Sequence, residues 1–92
     1  MNETAQKNKD FVHLKILFFA TLKEVVDKTE IEIEFEKGKT ILELKNQLVL
    51  EYPRLKDYLP IVLVAINQEF AFDSDEILES AEVAFFPPVS GG

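Results

Sequence analysis

The chain has 92 residues, a hydrophobic fraction of 47%, a formal net charge of −7 and no cysteine. That length supports one small domain with little interior to spare for a deep catalytic pocket. The acidic balance argues against a nucleic-acid partner, and the missing cysteine excludes disulfides, thiolate nucleophiles and cysteine-ligated zinc. Residues 1–11 are predicted to be a disordered polar extension, without the apolar core of a signal peptide. From His13 to Ala20, Leu14, Ile16 and Phe18 alternate with His13, Lys15, Leu17 and Phe19, as in a strand inside a sheet. Thr21 to Asp27 reads as a short helix with Leu22, Val25 and Val26 on one side. Next comes the cleanest alternation in the chain. Ile31, Ile33 and Phe35 point one way while Glu30, Glu32, Glu34 and Glu36 point the other, which is a half-exposed strand whose glutamates discourage unwanted edge pairing.

Lys37-Gly38-Lys39 makes a turn, and Thr40 with Glu43 fits a capping box. The helix it opens is predicted to run to about Tyr52, with Ile41, Leu44 and Leu48 as its buried stripe and Pro53 as its end. Arg54 to Pro60 is a connector with room for one helical turn. Ile61 to Ile66 is a largely β-branched run and reads as a buried strand. It is the longest wholly apolar stretch and far too short to span a bilayer, so a cytoplasmic protein without a membrane partner is expected. Asn67-Gln68-Glu69 turns into a short strand near Phe70-Ala71-Phe72, Asp73 to Glu76 opens a loop, and Ala81 to Phe86 is the last strand. The fold class is therefore α+β: a mixed sheet of four to five strands packed in two layers against one main helix. The domain is expected to span residues 12–86.

No set of side chains in this sequence forms a convincing catalytic centre. His13 is the single histidine, and Ser74, Ser80 and Ser90 have no base at a recognisable spacing. Asp73, Asp75 and Glu76 lack the ligand pattern of a calcium loop and read better as a turn bonded to its own backbone. Gly38 stands alone, so no phosphate-cradling loop is present. Two aromatic pairs carry more information. Adjacent strand residues face opposite sides, so one member of Phe18-Phe19 and one of Phe85-Phe86 should enter the core. Phe19 and Phe86 are the expected outward members, forming either an exposed docking patch or a second minor core under the Thr21 to Asp27 segment.

The ending is the most informative segment. Residues 87–92 read as an extended tail: Pro87 and Pro88 stiffen the exit, Val89 and Ser90 follow, and Gly91-Gly92 lack side chains. Such a tail can thread a narrow channel and present the Gly92 carboxylate to another protein's active site.

Three segments, Lys15 to Ala20 with Lys23-Glu24, Val64 to Gln68, and Glu82 to Gly92, give the chain a family likeness. It resembles the small, sulfur-carrier subunit of molybdopterin synthase, within the ubiquitin-like β-grasp proteins. The resemblance implies that an E1-like adenylating enzyme, using ATP and magnesium, activates the Gly92 carboxylate. A sulfur-donating persulfide enzyme would then leave a C-terminal thiocarboxylate. The charged tail (Pro87, Pro88, Val89, Ser90, Gly91) would enter the large synthase subunit and donate sulfur to cyclic pyranopterin monophosphate. It also implies a heterotetramer, a partner interface containing Phe19, Lys23 and Phe86, and no cofactor, metal or catalytic side chain held by this chain itself. Lys23 stands where the family commonly has arginine, which replaces a bidentate contact by a point charge. Ser80 stands where glycine is common. Two rival readings keep the tail but change its recipient: a sulfur donor for thiamine thiazole or tRNA thiolation, and a ubiquitin-like modifier joined to target lysines.

Overall fold

Alternation of apolar and polar residues draws Phe11–Phe18 into β1, with Val12, Leu14, Ile16 and Phe18 buried. The computed structural model describes residues 10–88. β1 begins one residue inside the expected polar extension because Phe11 pairs with Glu36. It ends two residues earlier than the apolar pattern implies, because the chain turns at Ala20 into α1, Thr21–Val26. β2, Glu30–Glu36, lies antiparallel to β1 in a register that sets Val12 against Phe35 and Leu14 against Ile33. That register buries the Phe35 side of β2 and leaves its glutamates on the open face of the sheet.

The main helix α2 runs Ile41–Glu51, and Ile41, Leu44 and Leu48 are buried as its spacing predicts. Both halves of the capping box are present: the Glu43 N–H donates to Thr40 Oγ1 at 3.2 Å, and the Thr40 N–H donates to Glu43 Oε1 at 2.9 Å. The 72–77 loop completes the cap. Ile41 N–H donates to the Asp75 carbonyl and Leu42 N–H to the Asp73 carbonyl, at 2.9 and 3.0 Å. These bonds satisfy donors that the first helical turn leaves without partners. Lys45 falls four residues after Ile41, on the buried side, and its Nζ meets Asp73 Oδ1 at 2.8 Å. Asp75 Oδ2 accepts from Phe72 N–H at 2.7 Å. The acidic loop is thus only partly bonded to its own backbone; Asp73 reaches across to the helix instead.

Replacing Thr40 by alanine is expected to destabilise the domain by about 1 kcal/mol, the usual worth of a side-chain cap. Glu43 adds a pH dependence of known sign. Its carboxylate accepts from the Thr40 N–H, which holds its pKa below the ordinary 4.5. A depressed folded value stabilises the fold above the unfolded value and loses that effect as pH falls through the folded one. Urea midpoints of the parent and Glu43→Gln should therefore differ by a constant amount near neutrality and converge as pH falls below about 4. A gap that widened on acidification would contradict the capping geometry.

Beyond α2 the connector forms two 3₁₀ turns, Pro53–Asp57 and Leu59–Ile61, which bury Leu55 and Leu59. The second turn absorbs Ile61, so β3 is only Leu63–Ile66. The expectation of a uniformly buried strand from Ile61 to Ile66 is corrected here: Ile61 is 60% exposed and Leu63 45%. Ile61 lies in a turn, and Leu63 faces the open side of the sheet. Asn67 and Gln68, both with positive φ, form the tight turn to β4, Glu69–Ala71. Asn67 also brackets the next strand, donating its N–H to the Glu82 carbonyl and accepting from the Glu82 N–H through Oδ1. β5, Ala81–Phe86, returns through the middle of the sheet.

Among the described residues the five strands form one sheet in the order β2-β1-β5-β3-β4, with β1 and β5 parallel and the other pairs antiparallel. One face, with α1, α2 and the 3₁₀ turns, encloses the core around Leu14, Ile16, Leu44, Val83 and Phe85. The other face is open. Ser80 is not among the positive-φ residues, and its Oγ accepts from His13 N–H at 2.8 Å, just before the β1–β5 pairing begins at Leu14 and Ala81.

Candidate functional site: the apolar face beneath the tail

Parallel pairing of β1 with β5 sets Phe18 beside Phe85, and the next residue on each strand necessarily turns to the opposite face. Phe18 and Phe85 are buried, their rings 6.2 Å apart and 20° from parallel. Phe19 and Phe86 stack on the open face, with centroids 4.7 Å apart and planes within 11°. A bond from Phe19 N–H to the Phe85 carbonyl, at 3.3 Å, ties the two strand ends together.

This outer stack is one wall of a shallow hollow of about 440 Å³. Leu63 and Phe70 form the opposite side, and Ala20, Pro87 and Pro88 complete it. The lining is almost wholly apolar, and Phe70 is 75% exposed. Apolar surface gathered in this way, on a domain this small, makes the hollow a candidate docking surface for another protein. Pro87 and Pro88 belong to the hollow, so the chain leaves β5 along this apolar face. Val89, Ser90, Gly91 and Gly92 lie outside the described residues.

Sequence reasoning found Phe19 and Phe86 but missed Leu63 and Phe70. Register supplies the missing signal: the two-residue turn at Asn67-Gln68 sets Phe70 opposite Ala65, on the same face as Leu63. Lys23 is exposed on α1 and is not part of the hollow's lining.

Toward β2 the same face changes character. Glu30, Glu32, Glu34 and Glu36 line this end, with diagonal pairs His13–Glu32 at 2.9 Å and Lys15–Glu30 at 3.7 Å across to β1 and Lys39–Glu36 at 3.4 Å at the turn. The open face is therefore apolar beneath the tail and net acidic at its other end, an arrangement that favours basic residues beside an apolar anchor on the partner. A larger groove of about 610 Å³ runs along α2, lined by Leu42, Val49, Leu50 and Pro60 beside the Lys45–Asp73 pair. It includes no residue of β5 or the tail. His13 and Ser80 line neither recess, and the Lys45 amine beside the second is tied up in its ion pair with Asp73. What this surface can do is dock and deliver.

Comparison with known proteins agrees with this geometry. A relative from Dictyostelium discoideum, named molybdopterin synthase sulfur carrier subunit, is 41% identical over 81 residues, covering 85% of this chain and 94% of that protein. The protein of the same name from Mycobacterium tuberculosis is 37% identical over 82 residues, covering 88% and 99%. Among solved structures, small archaeal modifier protein 1 of Haloferax volcanii superposes with a TM-score of 0.75 at 25% identity, over 85% of this chain and 99% of that one. The complex of subunits 1 and 2 of the molybdopterin-converting factor from Helicobacter pylori gives 0.61 at 22%, over 88% and 100%. A ubiquitin from Caldiarchaeum subterraneum gives 0.60 at 10%, over 90% and 100%. The last two likenesses are of fold, and they make this a ubiquitin-like β-grasp domain. The model of the ThiS family matches residues 16–92, nearly the whole domain together with the tail, and the chain belongs to that family.

Proposed function

We propose that this chain is the sulfur carrier subunit of a molybdopterin synthase, acting through the carboxylate of Gly92. The observation that carries the reading is the apolar hollow at the foot of a tail that ends in Gly91-Gly92. Relatives sharing more than a third of their residues with this chain bear that subunit's name. A free carboxylate resists nucleophilic attack because it is already anionic. An E1-like enzyme would join it to AMP from magnesium-bound ATP, releasing pyrophosphate and creating a good leaving group. The terminal sulfur of an enzyme persulfide would displace AMP, and a second thiol would cleave the resulting S–S bond to free the thiocarboxylate. Both thiols must come from outside this chain, because it has no cysteine. The same applies to the donors that stabilise the acyl-transfer oxyanion. In the large synthase subunit, within a heterotetramer of two carriers on a dimer of large subunits, the terminal sulfur would pass to cyclic pyranopterin monophosphate. We assign this cycle to the cytoplasm, where ATP is available.

Intact-mass measurement on the chain co-purified with its large subunit, from cells with a working pathway, should show a fraction with one oxygen replaced by sulfur. Terminal fragments should place the exchange on Gly92. Complete absence of that species under these conditions would remove the basis of the reading. The likeness to small archaeal modifier protein 1 favours one second reading, attachment of Gly92 to lysines of other proteins. Glycine-glycine remnants on unrelated proteins, lost when Gly92 is deleted, would support it.

A further inference from the structure

The turn from β1 into α1 is built on a residue whose backbone conformation does not suit it. Ala20 has φ 53° and ψ −129°. This is the first central position of a type II′ turn, where glycine is the default. The turn is closed by Leu22 N–H donating to the Phe19 carbonyl at 3.1 Å. An L-residue crowds its Cβ against the backbone there, and such strain persists only where the surroundings over-determine it. The other described positive-φ residues have evident reasons. Asp27 ends α1 in a left-handed cap, Asn67 and Gln68 form the β3–β4 turn, and Gly38 has no side chain. Ala20 caps nothing with its side chain and is exposed, so glycine would relax the turn without emptying any part of the core. What Ala20 does contribute to is the wall of the hollow, beside Phe19.

We infer that Ala20 is an affinity-bearing contact of the docking face: its methyl group packs on the apolar group that the large subunit sets into the hollow. The strained turn fixes that methyl beside the Phe19–Phe86 stack. This rests on the reading of the hollow as the large subunit's docking face, and the experiment separates the two claims.

The parent, Ala20→Gly, Phe86→Asp and a synthetic chain with D-alanine at position 20 would be compared by thermal unfolding and by calorimetric titration with the isolated large subunit. Ala20→Gly should unfold about 5 °C higher than the parent, as relief of strain outweighs the added freedom of the unfolded chain. It should nevertheless bind the large subunit about fourfold more weakly, the worth of one buried methyl. D-alanine suits the turn and directs its methyl away from the L position, so it should be at least as stable as the glycine variant and bind as weakly. A merely structural Ala20 would not lose affinity while gaining stability. Unchanged affinity in Ala20→Gly, a lower unfolding temperature, or parental affinity in the D-alanine chain would each overturn the inference. Phe86→Asp should weaken binding about a hundredfold or more, since it places a charge in a desolvated apolar contact. If it binds normally, the hollow is not the docking face and the role of Ala20 falls with it.

Discussion

Phe85→Ala is expected to lower the stability of the domain by about 3–5 kcal/mol, whereas Phe86→Ala, one residue on, should change it by less than half as much. Phe85 is fully buried on the central strand β5, between Phe18 on β1 and Val64 on β3. Truncating it removes a large apolar surface from the core and leaves a cavity that three tightly registered strands cannot close. A small domain has only about 5–15 kcal/mol in hand, so this one substitution consumes about a fifth or more of its margin. The unfolding temperature should fall by about 15–30 °C. Phe86 lies on the open face against Phe19, where water can occupy much of what its ring leaves behind. Urea unfolding of both variants, with unchanged m-values, checks the contrast. Equal losses at the two positions would show that the inner and outer aromatic pairs have been assigned to the wrong faces.

That contrast was legible in the sequence, because a period of two sends Phe18 and Phe19, and Phe85 and Phe86, to opposite faces. Local rules also placed β2, whose glutamates alternate without a break, and the start of α2, where Thr40 and Glu43 carry the cap in four residues. The parallel pairing of β1 with β5 is another matter. It joins segments more than sixty residues apart, and no local period records it. Leu63 and Phe70 were missed for the same reason, since each joins the hollow through its neighbours across the sheet. Ile61 shows a different failure: its β-branched character favours a strand, but Pro60 holds it in a 3₁₀ turn. Lys45 interrupts an apolar stripe in sequence yet is buried, because Asp73 arrives from a distant loop to pair with it. Ala20 carried no signal at all. Glycine or asparagine would have announced a positive φ there, and alanine conceals it.

Deleting Gly92 is expected to reduce sulfur transfer to the pterin precursor by at least about 1000-fold while leaving both folding and docking intact. The shortened chain still ends in a glycine carboxylate, but that group sits one residue, about 3.3 Å, short of its normal reach. Acyl transfer requires reacting atoms within about 3–3.5 Å, and errors near 1 Å already cost about a hundredfold. The domain itself should not notice the loss. Its described core ends at Phe85, and a change at the far end of a six-residue tail should move stability by less than about 0.5 kcal/mol. Affinity for the large subunit should likewise stay within about threefold if, as proposed, the hollow at the foot of the tail supplies the anchoring surface. Unfolding temperature, large-subunit binding and molybdopterin formation, measured on the same preparation, separate these effects. A parent chain amidated at Gly92 keeps full length but cannot be adenylated, and should be equally inactive in a reaction reconstituted with the activating enzyme. Loss of stability in the deletion variant would make the tail a structural element. Near-parental turnover in either variant would mean that the reactive carbon lies elsewhere than at the last carbonyl.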